Sequence, residues 1–260
     1  MSAEMPFLDH LEELRVRLLW SLGAIALGTV VAFVLISQVD VIGILERPIL
    51  PFLAGRKLVY THPGDPFGIV MKTAFIGGVM LALPVILFQV WAFLSPALYA
   101  HEKRVAIPVF ISATVLFMAG VALAYFAVLP LSLRFLLNFQ AGTLEPMITA
   151  SDYFGFAITM SLAFGAVFEL PILVLALTAL GLLTPMFLNK YRRHAVILVL
   201  VGSAFITPGG DPISLVALAI PLYLLFELSV ALSYVVYRRR ERRKAKEEDA
   251  AVGSHGGAVA

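Results

Sequence analysis

Polar residues along this chain are gathered into short clusters, and the runs between them are too long and too evenly apolar for a water-soluble fold. The runs are Leu18–Val39, Thr73–Ala100, Val105–Leu133, Tyr153–Asn189, Ala195–Gly210, and Pro212–Phe226 continuing past Glu227 to Tyr237. A helix needs about 20 apolar residues to cross a hydrocarbon layer of roughly 30 Å, so the pattern predicts six membrane-crossing helices. Ahead of the first run, Asp9 and Glu12 have the spacing of a capping box. Leu11, Leu14 and Leu18 then share one helical face, with His10, Glu13 and Arg17 on another. That predicts an amphipathic helix over residues 1–17, lying on the membrane surface and running into the first span. The apolar segment after it is long enough to span and lacks a small-residue cleavage site, so it reads as a span and not a signal peptide.

The connections differ in weight. The first two spans are separated by a Pro- and Gly-rich stretch (Pro48, Pro51, Pro63-Gly64-Asp65-Pro66), which reads as an ordered cap. Asn138 to Asp152 joins the third and fourth with turn signals. The fifth span is short: Ala195–Ile206 is twelve residues, about 18 Å at 1.5 Å per residue. The turn Thr207-Pro-Gly-Gly-Asp-Pro212 then reverses the chain. Two readings stand for it: a wet recess or thinned bilayer beside the last two helices, or a buried hairpin without effect on lipid.

Composition agrees with the pattern. Of 260 residues, 60% are hydrophobic and 14% charged, against about a quarter charged in soluble domains. With no cysteine, disulfides, thiolate metal sites and thiol nucleophiles are excluded. Charge placement sets orientation. Arg15, Arg17, Lys103, Arg104, Lys190, Arg192, Arg193 and seven residues of the tail make fourteen of the nineteen Lys and Arg, all on the side of the termini. The positive-inside rule therefore puts both termini in the cytoplasm and the Pro-rich cap outside. The domains expected are the helix 1–17, a transmembrane unit 18–237, and a disordered tail 238–260 whose basic run anchors on lipid headgroups and not on nucleic acid.

The run from Tyr153 to Asn189 holds a single charge, Glu169, near its middle. A carboxylate at that depth costs a few kcal/mol and is rarely left facing lipid. Pro171 removes the ladder bond to Val167 and predicts a kink beside it. Glu169 is either a functional acid or a protonated acid bonded to a neighbouring helix. Phosphate loops, His-Glu-x-x-His, Gly-x-Ser-x-Gly and paired intramembrane Asp are all missing from the sequence. No enzyme class, cofactor or metal is motivated. Two terminal-side stretches remain, around Glu13 and around Glu102. Each offers a carboxylate at the lipid boundary, suited to bidentate contact with Arg. The plain alternative pairs Glu13 with Arg17 at i+4, and spacing alone favours it.

The chain resembles the TatC family, the polytopic subunit of the twin-arginine protein translocase. The resemblance runs from about residue 7 to 237. It is carried by His10-Leu-x-Glu-Leu-Arg-x-Arg17, Pro84-Val-Ile-Leu-x-Gln-Val-Trp-Ala-Phe93 with Pro96-Ala-Leu-Tyr and His101-Glu102, and Phe117-x-x-Gly120 with Ala124-Tyr-Phe126. It continues in Phe164-Gly-x-x-Phe-Glu-x-Pro171 and Ala219-Ile-Pro-x-Tyr-x-Leu-Phe-Glu227. The turn ending at Asp211 carries an extra Gly relative to the family's usual Thr-Pro-Pro-Asp. The resemblance implies an all-α concave bundle with short fifth and sixth helices in the cytoplasmic membrane of a prokaryote. It implies recognition of twin-arginine signal peptides on folded substrates by Glu13, Glu102, Arg15 and Arg17, and an intramembrane groove at Glu169 and Pro171. It places Asp211 in the turn at the far end. Implied partners are the single-span TatA and TatB subunits and further copies of the chain, with the proton gradient as energy source. From residues alone, a proton-coupled solute carrier using Glu169 ranks level with a translocase, and a membrane scaffold comes third.

Overall fold

The computed structural model describes residues 7–53, 55–94, 106–138, 147–206 and 212–256. Glu102 and Asp211, with the Ser95–Arg104 stretch, lie outside the described residues. Helix α1 runs unbroken from Phe7 to Gln38. The boundary expected at residue 17 is therefore no structural break, because nothing between Leu14 and Leu22 interrupts a helix. Among the described residues, five helical stretches are long and apolar enough to cross a membrane, over residues 11–38, 65–93, 109–138, 150–179 and 215–238. The segment expected as the fifth span is the helix α9, Arg192–Ile206, whose fifteen residues fall short of that length.

Between α1 and α3 (Asp65–Leu94) sits the cap. It contains α2 (Val41–Glu46) and a 3-10 turn at Leu50–Phe52. Asp40 caps α2 by accepting the Gly43 N–H at 2.9 Å. Two tyrosines then tie α2 to the bundle. Tyr125 donates to the carbonyl of Ile44, and Tyr153 to that of Leu45 at 2.6 Å. Beneath the cap, Ile49, Leu53, Ile69, Leu129 and Phe154 form a buried cluster. Val59 and Thr149 close the cap with a parallel bridge, Ala150 N–H donating to Val59 at 2.7 Å. Tyr153→Phe leaves the Leu45 carbonyl without its donor. It is expected to cost about 1 kcal/mol, read as a lower melting temperature in detergent.

The third span, α4 (Ala106–Leu123) and α5 (Leu129–Asn138), is interrupted by a π turn at Ala124–Val128. Pro130 has no N–H to offer the turn before it, and Leu129 N–H reaches back to Ala124 instead. The inserted residue brings Tyr125 to the cap. The fourth run divides more than its apolar sequence suggests. Helix α6 (Ala150–Phe168) ends at Glu169 and α7 runs only from Leu170 to Leu180. Gly181, at φ 80°, then closes α7. A separate short helix follows, α8 (Pro185–Lys190), capped by Thr184. The expected single helix to Asn189 is thus corrected, and Gly181 with Thr184-Pro185 supplies the reason.

Helix–helix contacts rest on glycine. A Cβ on Gly28 would lie 2.5 Å from the Gly78 carbonyl oxygen, so α1 and α3 cross backbone to backbone. Gly120 meets the Phe164 carbonyl in the same way where α4 crosses α6. Helix α10 (Pro212–Gly256) continues far beyond the span. The expected disordered tail from residue 238 is instead helical through Gly256, in keeping with the helix-forming Arg, Lys, Glu and Ala of that stretch.

Candidate functional site

At the end of the bundle that carries the N-terminus, Glu13 and Arg17 lie one turn apart on α1. The Arg17 Nε donates to Glu13 Oε1 at 3.0 Å, and its Nη1 reaches Gln89 Oε1 of α3 at 3.5 Å. Both side chains are about three-quarters buried, 23% exposed each. With Glu12, Trp20 and Gln89 they line an open recess of about 630 Å³. Arg15 is exposed and does not line it. The i+4 pair expected from spacing therefore forms, and it lines an open recess. Gln89 is a member of the recess that sequence reasoning does not single out. Its signal is a lone amide in an otherwise apolar span.

Glu169 occupies the junction of α6 and α7. Its N–H bonds back only three residues, to Ala166 at 3.2 Å, and regular bonding resumes with Leu173 N–H donating to Glu169 at 3.0 Å. Pro171 cannot donate, so the helix tightens and breaks two residues ahead of it. Both carboxyl oxygens of Glu169 are buried and accept no hydrogen bond. Glu169 is one of the residues lining a small cavity of about 160 Å³, with Leu87 and Trp91 of α3, Phe110 and Ala113 of α4, and Ile172 and Leu177 of α7. Neither α9 nor α10 contributes to that lining among the described residues. Helix α9 is held to α10 by its first turn. Arg192 pairs with Glu227 at 2.8 Å, and Tyr223 donates to the other Glu227 oxygen at 2.9 Å. In the sequence Glu227 stands only as part of a motif, with nothing local to give it a role.

A bundle of apolar helices with charges at its ends and one broken helix carrying a buried acid defines a polytopic helical membrane protein. The sequence matches the family Sec-independent protein translocase protein (TatC) over residues 9–221, and the chain belongs to that family. It is 38% identical over 249 residues to the TatC protein of Koribacter versatilis, covering 94% of this chain and 91% of that one. It is 40% identical to that of Deinococcus radiodurans over 237 residues, covering 90% and 87%. The solved structure described as the twin arginine translocase receptor TatC superposes with a TM-score of 0.76 at 39% identity, covering 87% of this chain and 99% of that chain. The protein is a multi-pass component of a Sec-independent protein translocase in a bacterial membrane.

Proposed function

We propose that this chain is the receptor subunit that reads twin-arginine signal peptides of folded proteins. In this reading both termini face the cytoplasm, and TatA and TatB dock alongside to complete export driven by the proton gradient. The observation that carries it is the recess at Glu13. Arg17 already places a guanidinium group on that carboxylate, with Gln89 as a second acceptor, so the recess has the dimensions and polarity for an arginine side chain. An incoming arginine replaces Arg17 there, and Glu102 takes the second. A planar, five-donor guanidinium matches a carboxylate bidentately where an ammonium does not, which gives discrimination between Arg and Lys. The apolar part of the peptide then lies along the helices toward Glu169.

Binding of an Arg-Arg peptide to purified protein, measured by calorimetry against the same peptide with Lys-Lys, tests this. Glu13→Gln and Glu102→Gln are each expected to weaken the Arg-Arg peptide about tenfold, the loss of a charge-assisted hydrogen bond. Equal heats from the two peptides would remove the receptor role. Unchanged affinity in either variant would remove that residue from it.

A further inference from the structure

Trp20 is the aromatic wall of the recess that holds Glu13 and Arg17. It follows Glu13 by seven residues, Val16 by four and Arg17 by three, so all four share one face of α1. Side chains on a helix lean back over the preceding turn, which carries the indole toward Val16 and Arg17. The ring is 66% exposed. Among the described residues no other ring packs on it and no cation lies over it; the cation that does lie over a ring is Lys190, over Tyr191. Arg17, one turn away, is drawn to Glu13 and Gln89 instead. An aromatic face is thus left open and reachable beside a carboxylate. Tryptophan near the end of a span commonly serves as a headgroup anchor, and that role is blind to whether a ligand carries Arg or Lys.

A guanidinium group has two kinds of surface. Its edge carries donors that meet a carboxylate in pairs, and its flat face stacks on an aromatic ring. Edge and face are perpendicular, so both can be used at once. An ammonium is a compact and strongly hydrated point charge without a flat face, and it gives up more water to lie against a ring. Arg17 shows that a guanidinium edge fits on Glu13. Resting on the receptor reading above, we infer that Trp20 is a specificity-determining residue: the arginine that replaces Arg17 on Glu13 lays its guanidinium face on the Trp20 indole. The carboxylate supplies charge, which a lysine also satisfies. The indole supplies a flat partner, which a lysine cannot match. Trp20 therefore widens the gap between Arg and Lys more than it raises affinity for cations in general.

The test is calorimetry of the purified full chain with the Arg-Arg and Lys-Lys peptides, in wild type, Trp20→Leu and Trp20→Tyr, with melting profiles read alongside. Trp20→Leu is expected to bind the Arg-Arg peptide about fivefold more weakly, the effect of one partly desolvated cation–π contact, with the Lys-Lys peptide little changed. Trp20→Tyr restores an aromatic face and is expected to recover most of the affinity. Tryptophan emission gives a second readout, since only Trp91 remains in Trp20→Tyr. The Arg-Arg peptide is expected to change the emission of wild type and to leave that of Trp20→Tyr nearly unchanged. Wild-type affinity and preference in Trp20→Leu overturn the role of Trp20 alone. An equal loss for both peptides marks a headgroup anchor and overturns it too. Should Trp20→Leu fail to fold, the emission decides: the same change in Trp20→Tyr as in wild type puts the peptide away from Trp20. Wild type that binds both peptides alike sinks the receptor reading itself, and this inference with it.

Discussion

Gly78→Ala is expected to be among the most damaging single-methyl changes in this protein. The added Cβ falls on the backbone of Thr29 in α1, and the reciprocal Cβ on Gly28 falls on the Gly78 carbonyl. Backbone cannot rotate aside as a side chain can, so the two helices must separate along their whole crossing. Overpacking of this kind costs about 1–3 kcal/mol, and α1 depends almost wholly on α3 for its place in the bundle. Gly23 supplies the control: a Cβ there meets nothing within 4 Å. Gly23→Ala should be neutral or should gain up to about 1 kcal/mol from helix propensity. Thermal unfolding in detergent of the two variants beside wild type checks this. Equal melting of Gly78→Ala and wild type would mean that α1 and α3 do not cross at these glycines.

Glu169→Leu is expected to make the protein more stable and less functional. Two buried carboxyl oxygens without a partner cost about 1–3 kcal/mol, and leucine removes that cost while filling the small cavity with matching apolar surface. If the acid is retained for docking a partner helix or peptide, export of a twin-arginine reporter is lost in the same variant. Glu169→Gln separates charge from hydrogen bonding. Export retained in Gln but lost in Leu assigns a hydrogen-bonding role; loss in both assigns the ionisable carboxyl. A fall in melting temperature for Glu169→Leu would instead show that the acid is satisfied in the membrane and serves the packing.

Local spacing carries some of these features and is silent on others. The Glu13–Arg17 pair follows from the helical repeat, and the break near Glu169 from Pro171. Gln89 completes the recess from a residue 72 positions away, and no local pattern joins it to Arg17. Gly181 and Thr184-Pro185 signal the division of the fourth run, but a run without charge masks such punctuation. The helical tail is not legible, because a charge-rich composition suits both a solvated helix and disorder. Nor is the company Glu169 keeps in its cavity, which comes from α3 and α4 as well as its own helix and, among the described residues, not from the short fifth helix. Proximity in chain order does not fix proximity in a bundle.

What the sequence determined by itself is which stretches of the chain are apolar enough to leave water, and where the charges gather between them. Transfer from water to hydrocarbon is a sum over residues and needs no knowledge of neighbours. The tertiary structure alone decided which faces meet. Helices that are apolar all round carry little amphipathic signal to set their rotation, so close packing at Gly28, Gly78, Gly120 and Gly165 sets it instead. That same packing leaves Glu169 lining a cavity with residues of α3 and α4.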